Sequence, residues 1–121
     1  MSELTILDNT IRLFERPGTW CRGSLALDLE GNSVLVTSPQ ASRWCLRGAL
    51  LRYYQYRNPG EFKIKSEFEN CILAIKNSIN EIHPEPFPSS ITDFNDSVAK
   101  DVEDVLKVLR NTRKYLNKEE R

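Results

Sequence analysis

The sequence predicts an α+β domain, with about four helices packed around one short antiparallel β-hairpin at residues 25–37. Three observations carry that expectation. Residues 3–16, 63–82 and 98–116 each repeat apolar side chains at spacings of three and four, the period of one helical face. Residues 25–29 and 34–37 are apolar runs flanking Glu30-Gly31-Asn32-Ser33, a glycine-containing loop of hairpin length. The chain has 121 residues, 40% of them hydrophobic, which suits one core and a single domain over residues 1–121.

In the first helix Leu4, Leu7, Ile11 and Phe14 share a face, and Pro17-Gly18 stops it: proline lacks the amide donor, and glycine accepts the left-handed turn. A ribbon as small as residues 25–37 is marginal alone, so it must pack on a helix. Ser38-Pro39 is a suitable start for a second helix over residues 40–57, with serine as cap and proline in the first turn. Trp44, Cys45, Gly48, Ala49 and Arg52 lie along one side of it and Leu46, Leu50 and Tyr53 along another. Apolar groups thus wrap most of its circumference, which predicts a central helix, and Gly48-Ala49 lets a neighbour come close. Asn58-Pro59-Gly60 ends it.

The third helix has the cleanest stripe, Ile64, Phe68, Cys71, Ile72, Ile75, Ile79 and Ile82. Residues 83–90 hold Pro84, Pro86 and Pro88 and read as an extended connector. Thr92, Asp93, Asn95, Asp96 and Ser97 are candidate N-caps for the last helix. Its Val98, Val102, Val105, Leu109, Thr112 and Leu116 form a heptad-like seam, and Asp101, Glu103 and Asp104 sit near its positive end. That seam fits either the domain core or a second copy, so a homodimer through the last helix is one expectation. The tail, residues 117–121, is expected to fray.

Composition excludes several function classes. Seventeen basic and seventeen acidic residues give zero net charge, which argues against non-specific nucleic-acid binding. The start Met1-Ser2-Glu3-Leu4 lacks a signal-peptide pattern and no run is apolar enough to span a bilayer, so a cytoplasmic protein is expected, away from membranes. Cys21, Cys45 and Cys71 are odd in number and widely spaced, which suggests buried thiols in place of a disulfide framework or zinc site. No metal or cofactor is expected: ligand spacings are missing, and Gly23, Gly31, Gly48 and Gly60 stand alone without a phosphate-loop fingerprint.

Charge is unevenly placed along the chain. Residues 31–60 contain no acidic residue, while Arg43, Arg47, Arg52 and Arg57 are interleaved with Tyr53, Tyr54 and Tyr56. Residues 93–104 are the reverse, with Asp93, Asp96, Asp101, Glu103 and Asp104 against a single Lys100. Either the two pair inside the fold, or Arg43, Arg47, Arg52, Tyr53, Tyr54, Tyr56 and Arg57 form a surface for a protein partner, since tyrosine and arginine are enriched at interfaces. Two tryptophan-cysteine pairs, Trp20-Cys21 and Trp44-Cys45, support a different reading. Trp20 and Trp44 are either core residues or the walls of a pocket for a small anion or nucleotide, with Arg22 and Arg47 on the phosphate and Asn95 and Asp96 nearby. Capping is the plainer role for Asn95 and Asp96.

Catalysis is the weakest reading. Arg43 and Arg47 are close enough in sequence to Cys45 to depress its pKa, but the only histidine, His83, lies in the proline connector. Asp28 and Asp96 are the other candidates for an enzyme. The first expectation is therefore a non-catalytic binding or interaction protein, and the second a protein that sequesters an anion or nucleotide.

Three blocks carry a resemblance: Trp20-Cys21-Arg22-Gly23-Ser24-Leu25-Ala26-Leu27-Asp28 with Gly31, then Ala41-Ser42-Arg43-Trp44-Cys45-Leu46-Arg47-Gly48-Ala49-Leu50, then Ile91-Thr92-Asp93-Phe94-Asn95-Asp96-Ser97. In this order they resemble domain of unknown function 6197, a family of small bacterial and bacteriophage proteins. The resemblance implies that the three blocks form one structural unit; an accessory or phage-related role belongs to the first expectation, of a binding or interaction protein. The resemblance implies no activity. Residues 52–57 and the proline connector look less typical of the family.

Overall fold

A computed structural model describes residues 2–57, 66–84 and 90–119. Its elements in chain order are helix α1 (Ser2–Glu15), strands β1 (Ala26–Leu27) and β2 (Arg43–Trp44), helices α2 (Leu46–Arg57) and α3 (Ser66–Ile82), the single turn α4 (Ile91–Asp93), a π-helical turn (Phe94–Val98), and helix α5 (Val102–Glu119). The chain is thus α+β and mostly helical, with a two-stranded antiparallel sheet.

The helical stripes bury as their spacing requires. Leu7, Ile11 and Phe14 of α1 are buried, and so are Ile6, Thr10 and Leu13, because α1 packs against α2, α3 and α5 at once. In α3, Phe68, Cys71, Ile75 and Ile79 are buried. The seam of α5 faces inward, with Val105, Leu109 and Thr112 fully buried where the helix meets α1 and α3. The domain's own helices therefore cover the middle of the stripe that a second copy would have needed. The polar atoms there are satisfied in a chain. Asn111 Nδ2 donates to Ser78 Oγ at 3.2 Å, Ser78 Oγ lies 2.9 Å from Thr112 Oγ1, and Thr112 donates to the Val108 carbonyl at 2.8 Å. Arg113 with Asp8, and Arg110 with Glu15 at 3.1 Å, link α5 to α1 across the surface.

The β layer differs from the predicted hairpin. The chain does reverse over Asp28 to Asn32: Asp28 Oδ1 accepts from the amides of Glu30 and Asn32, and Gly31 takes φ +86°, which glycine adopts without a Cβ penalty. Residues 34–37, expected as the return strand, form no strand, and the return leg pairs with β1 through a single bridge just before them, Leu27 with Ser33. The strand paired with β1 is β2, in the register Ala26 with Trp44 and Leu27 with Arg43. Residues 43 and 44 were expected in the second helix, yet α2 starts at Leu46. Ser38-Pro39 is a turn and not a helix start, since Ser38 accepts from Gln40 N through its hydroxyl and from Ala41 N through its carbonyl. Aromatic Trp44 suits a buried strand, and tertiary pairing overrides the helical spacing around it. On its other edge β2 bridges Trp20 in parallel, with Trp44 N donating to Thr19 O at 2.8 Å and Cys21 N to Trp44 O at 3.0 Å. Four short extended segments therefore lie side by side: 33–34, β1, β2 and 19–21.

Helix α2 shares the centre with α1. Leu46, Ala49, Leu50 and Tyr54 are buried, and α2 meets α1, α4 and β2. The expected close approach at Gly48 is made by backbone. A Cβ there would lie 1.9 Å from the Leu25 carbonyl oxygen, which also accepts from Cys45 N at 3.3 Å. Helix α5 continues through Asn117 to Glu119, where fraying was expected. The centre of the proline connector, residues 85–89, and the stop at Asn58-Pro59-Gly60 lie outside the described residues, as do the side chains of Leu4, Tyr56, Arg57 and Ile64.

Candidate functional site

The three tryptophan, cysteine and asparagine blocks meet at Asn95. This side chain is fully buried and makes four hydrogen bonds. Its Oδ1 accepts from Trp20 Nε1 at 2.6 Å and from Leu46 N at 3.0 Å; its Nδ2 donates to Cys21 O at 3.1 Å and to Asp96 Oδ1 at 2.9 Å. An amide side chain has two acceptor and two donor positions, so all four are used. Asn95 is a cap, but of a different helix from the one expected. Leu46 is the first residue of α2, and Asn95 satisfies one of its orphan amides from across the domain. Cys45 serves the same helix end, with Sγ accepting from Gly48 N at 3.3 Å.

The π-helical turn gives Asn95 this position. Ala99 N bonds to Phe94 O at 2.9 Å, closing a wide turn that leaves Phe94 and Asn95 both buried. Such turns are rare and recur at special sites; nothing in the local sequence signalled one. The local caps come from other residues. Ser90 Oγ accepts from Asp93 N at the start of α4, while Asp101 accepts from Asp104 N, and Asp104 Oδ2 from Lys100 N, at the start of α5.

Of the residues expected to line a ligand pocket, Trp20, Arg22, Asn95 and Asp96 do come together. They bond to one another or to nearby backbone. Arg22 lies over the Trp20 ring, 5.1 Å from its centroid, and its guanidinium donates to the Ala99 carbonyl. Asp96 Oδ1 accepts from Gly23 N at 3.1 Å. Trp44 is in the core, with Nε1 donating to Val36 O at 3.0 Å. Arg47 lies apart from this group, 5.8 Å from the Phe68 ring centroid.

The expected arginine-tyrosine surface on α2 is smaller than its sequence suggests. Tyr54 is buried, 5.2 Å from Phe68 between ring centroids, so it belongs to the core. Arg43, Arg47, Arg52 and Tyr53 are each half-buried, and Arg52 stacks over Trp44 at 4.6 Å. The helix turns its aromatic groups inward because it is packed on more than one side.

The catalytic candidates are similarly engaged. The expectation that Arg43 and Arg47 depress the Cys45 pKa is overturned. Burial pushes that thiol up, against the lowering effect of the Gly48 amide, and the charge of Asp96 adds to the rise. The Cys21 thiol is pushed up to about 11, first by burial and then by neighbouring Cys45, with Arg43 opposing and Asp96 adding. Both are poor nucleophiles at neutral pH. Asp28 holds the turn, and His83 packs on Phe94 with ring centroids 5.3 Å apart. Among the described residues, no group of three or more histidine, cysteine, aspartate or glutamate side chains could hold a metal ion, and no helix is long and apolar enough to cross a membrane.

The exposed leucines around β1 were missed. Ala26 of β1 is 1% exposed, whereas Leu25 just before the strand is 44%, Leu29 in the turn after it 84% and Leu35 on the return leg 78% exposed. Arg43 is the register partner of Leu27. The available signal was the place of Leu29 inside the turn that precedes Gly31, where a side chain has no core to pack against.

Compared with known proteins, residues 1–115 match the model of a family of unknown function, DUF6197. No curated protein and no solved structure matches the chain.

Proposed function

Because the chain belongs to that family of unknown function, which transfers no activity to it, we propose from its geometry that it is a non-catalytic binding protein. Its partner surface is the set of exposed leucines around β1, Leu25, Leu29 and Leu35. The observation that carries this reading is the exposure of Leu29 and Leu35, 84% and 78%, on backbone fixed by hydrogen-bonded turns. Single exposed leucines need no explanation, but three within eleven residues of short, turn-bounded β structure are the kind of apolar surface that partners cover. The residues proposed for an anion pocket support sequestration less, since Asn95 has no bonding position left and Trp44 is buried.

The buried cysteine thiols support a reducing, cytoplasmic compartment. The resemblance in sequence supports a bacterial or phage accessory role. The test is comparative capture from a bacterial lysate by the wild-type protein and by Leu29→Ser/Leu35→Ser. A partner retained by the first and lost by the second supports the reading; partners retained equally by both overturn it.

A further inference from the structure

A cavity of about 310 Å³ lies in the groove between α1 and α5, lined by Asp8, Ile11, Arg12, Glu15, Arg110 and Arg113. Ile11 is buried at its base, and every other lining residue is charged. Guanidinium groups outnumber carboxylates there by three to two. Glu103 also approaches Arg110, at 3.8 Å, but from outside the lining. Along α5 the positive excess continues, since residues 106–118 hold five basic side chains and no acidic one. The local field therefore favours an anion.

The three guanidinium groups are only partly engaged. Each carries five N–H donors. Among the described residues Arg113 gives one to Asp8, Arg110 one to Glu15 and Arg12 one to the neutral amide of Asn9. Neither ion pair is the two-bonded fork that arginine makes with a fully engaged carboxylate. Asp8 and Glu15 stand one turn to either side of Arg12 on α1, within reach of it by helical spacing, yet both pair with α5. Arg12 is thus a cation at the cavity with no carboxylate partner among the described residues. All three arginines are exposed, so an anion reaches them without displacing packed groups.

We infer that this cavity binds a small phosphorylated molecule, whose phosphoryl oxygens accept from the remaining N–H groups of Arg12, Arg110 and Arg113. A phosphoryl group presents three oxygens in a pyramid, which donors from two helices can meet from different sides; a carboxylate presents two in one plane. The charge count agrees, because an anion here neutralises Arg12 and leaves both ion pairs in place. Volume bounds the ligand: about 310 Å³ is at the small end of ligand sites, with room for one or two phosphoryl groups on a short body. A nucleic acid fits less well, since a chain of zero net charge gives its backbone no wider attraction. The site is separate from the exposed leucines and does not depend on their having a partner.

Titration of the full chain with inorganic pyrophosphate, followed by calorimetry and by the Nε–Hε resonances of the arginines, gives the test. One site is expected, with shifts at Arg12, Arg110 and Arg113 and with binding that weakens as salt is raised. Arg12→Gln should weaken binding at least fivefold with melting temperature unchanged, because its only partner among the described residues is Asn9. Glu15→Gln should act in the opposite direction and tighten binding at least twofold, by removing a like charge and releasing Arg110. If Arg12→Gln does not fold, Glu15→Gln still decides. Leu29→Ser/Leu35→Ser should bind pyrophosphate as the wild type does, and a loss there overturns the separate site. No binding at millimolar pyrophosphate, or binding that neither Arg12→Gln nor Glu15→Gln changes, overturns the inference, and the arginines are then an ion-pair network only. A single-stranded oligonucleotide that binds tenfold tighter than pyrophosphate at the same arginines overturns the small-molecule class.

Discussion

Replacing Asn95 with alanine should be among the most damaging single substitutions in this chain. The side chain is fully buried, and its loss leaves Trp20 Nε1, Leu46 N and Cys21 O without the partner they have now. Asp96 Oδ1 keeps its bond from Gly23 N. A buried polar group left unsatisfied costs about 1–3 kcal/mol. Three such groups would sum to roughly 3–9 kcal/mol, but water entering the vacated space restores part of this, so the expected loss is about 3–5 kcal/mol. Stability of a domain this size is about 5–15 kcal/mol, so the variant keeps a folded state with little in reserve. Urea unfolding followed by tryptophan fluorescence is the assay. With an m-value of about 1.5 kcal/mol/M the midpoint falls by roughly 2–3 M. Asn95→Asp separates the two halves of the site. It keeps the acceptor for Trp20 and Leu46 but sets a carboxylate against the Cys21 carbonyl and Asp96. A loss below about 1 kcal/mol for Asn95→Ala would refute the hub, because no set of satisfied buried groups could then depend on it.

Gly48→Ala would gain up to about 1 kcal/mol from helix propensity at an open position. Against the Leu25 carbonyl it should instead cost about 3 kcal/mol, and a neutral or stabilised variant in the same urea assay would remove the close approach. Cys21, with its pKa raised to about 11 from 9.0, keeps its proton in the folded state after the unfolded chain has lost it. Stability present below pH 9 should therefore fall as pH rises from 9 to 11, by on the order of 2 kcal/mol at most, and Cys21→Ala should flatten that part of the pH profile. Leu29→Ser/Leu35→Ser should shift stability by less than about 0.5 kcal/mol per site, since neither side chain packs in the core; a drop of 2 kcal/mol in thermal melts would place them inside it.

The helices were legible because their signal is local. Phe68, Cys71, Ile75 and Ile79 keep helical spacing, and the face they define is the face that is buried. The glycine at 48 was legible too, as a place for close contact, though not that a backbone carbonyl makes the contact. Two local patterns overlap at the start of α2. Arg43 and Trp44 continue the apolar spacing of α2 backward and are also acceptable strand residues; pairing with Ala26 and Leu27 decided between them. Tyr54 looked like an interface residue by type, and the helix's rotation against α1 put it in the core.

By itself the sequence determined the class of fold, the faces of the long helices and the reversal after Leu27; the grouping of the three residue blocks into one unit was implied only by the family resemblance. The first three follow from backbone preferences and from the period of apolar residues, which act over a few positions. Only the tertiary structure decided what the blocks do together. Asn95 meets Trp20 and Leu46 across separations of 75 and 49 residues, and a π-helical turn aims it there. An asparagine before a helix reads as that helix's own cap, because sequence shows the local orphan amides and not the distant ones.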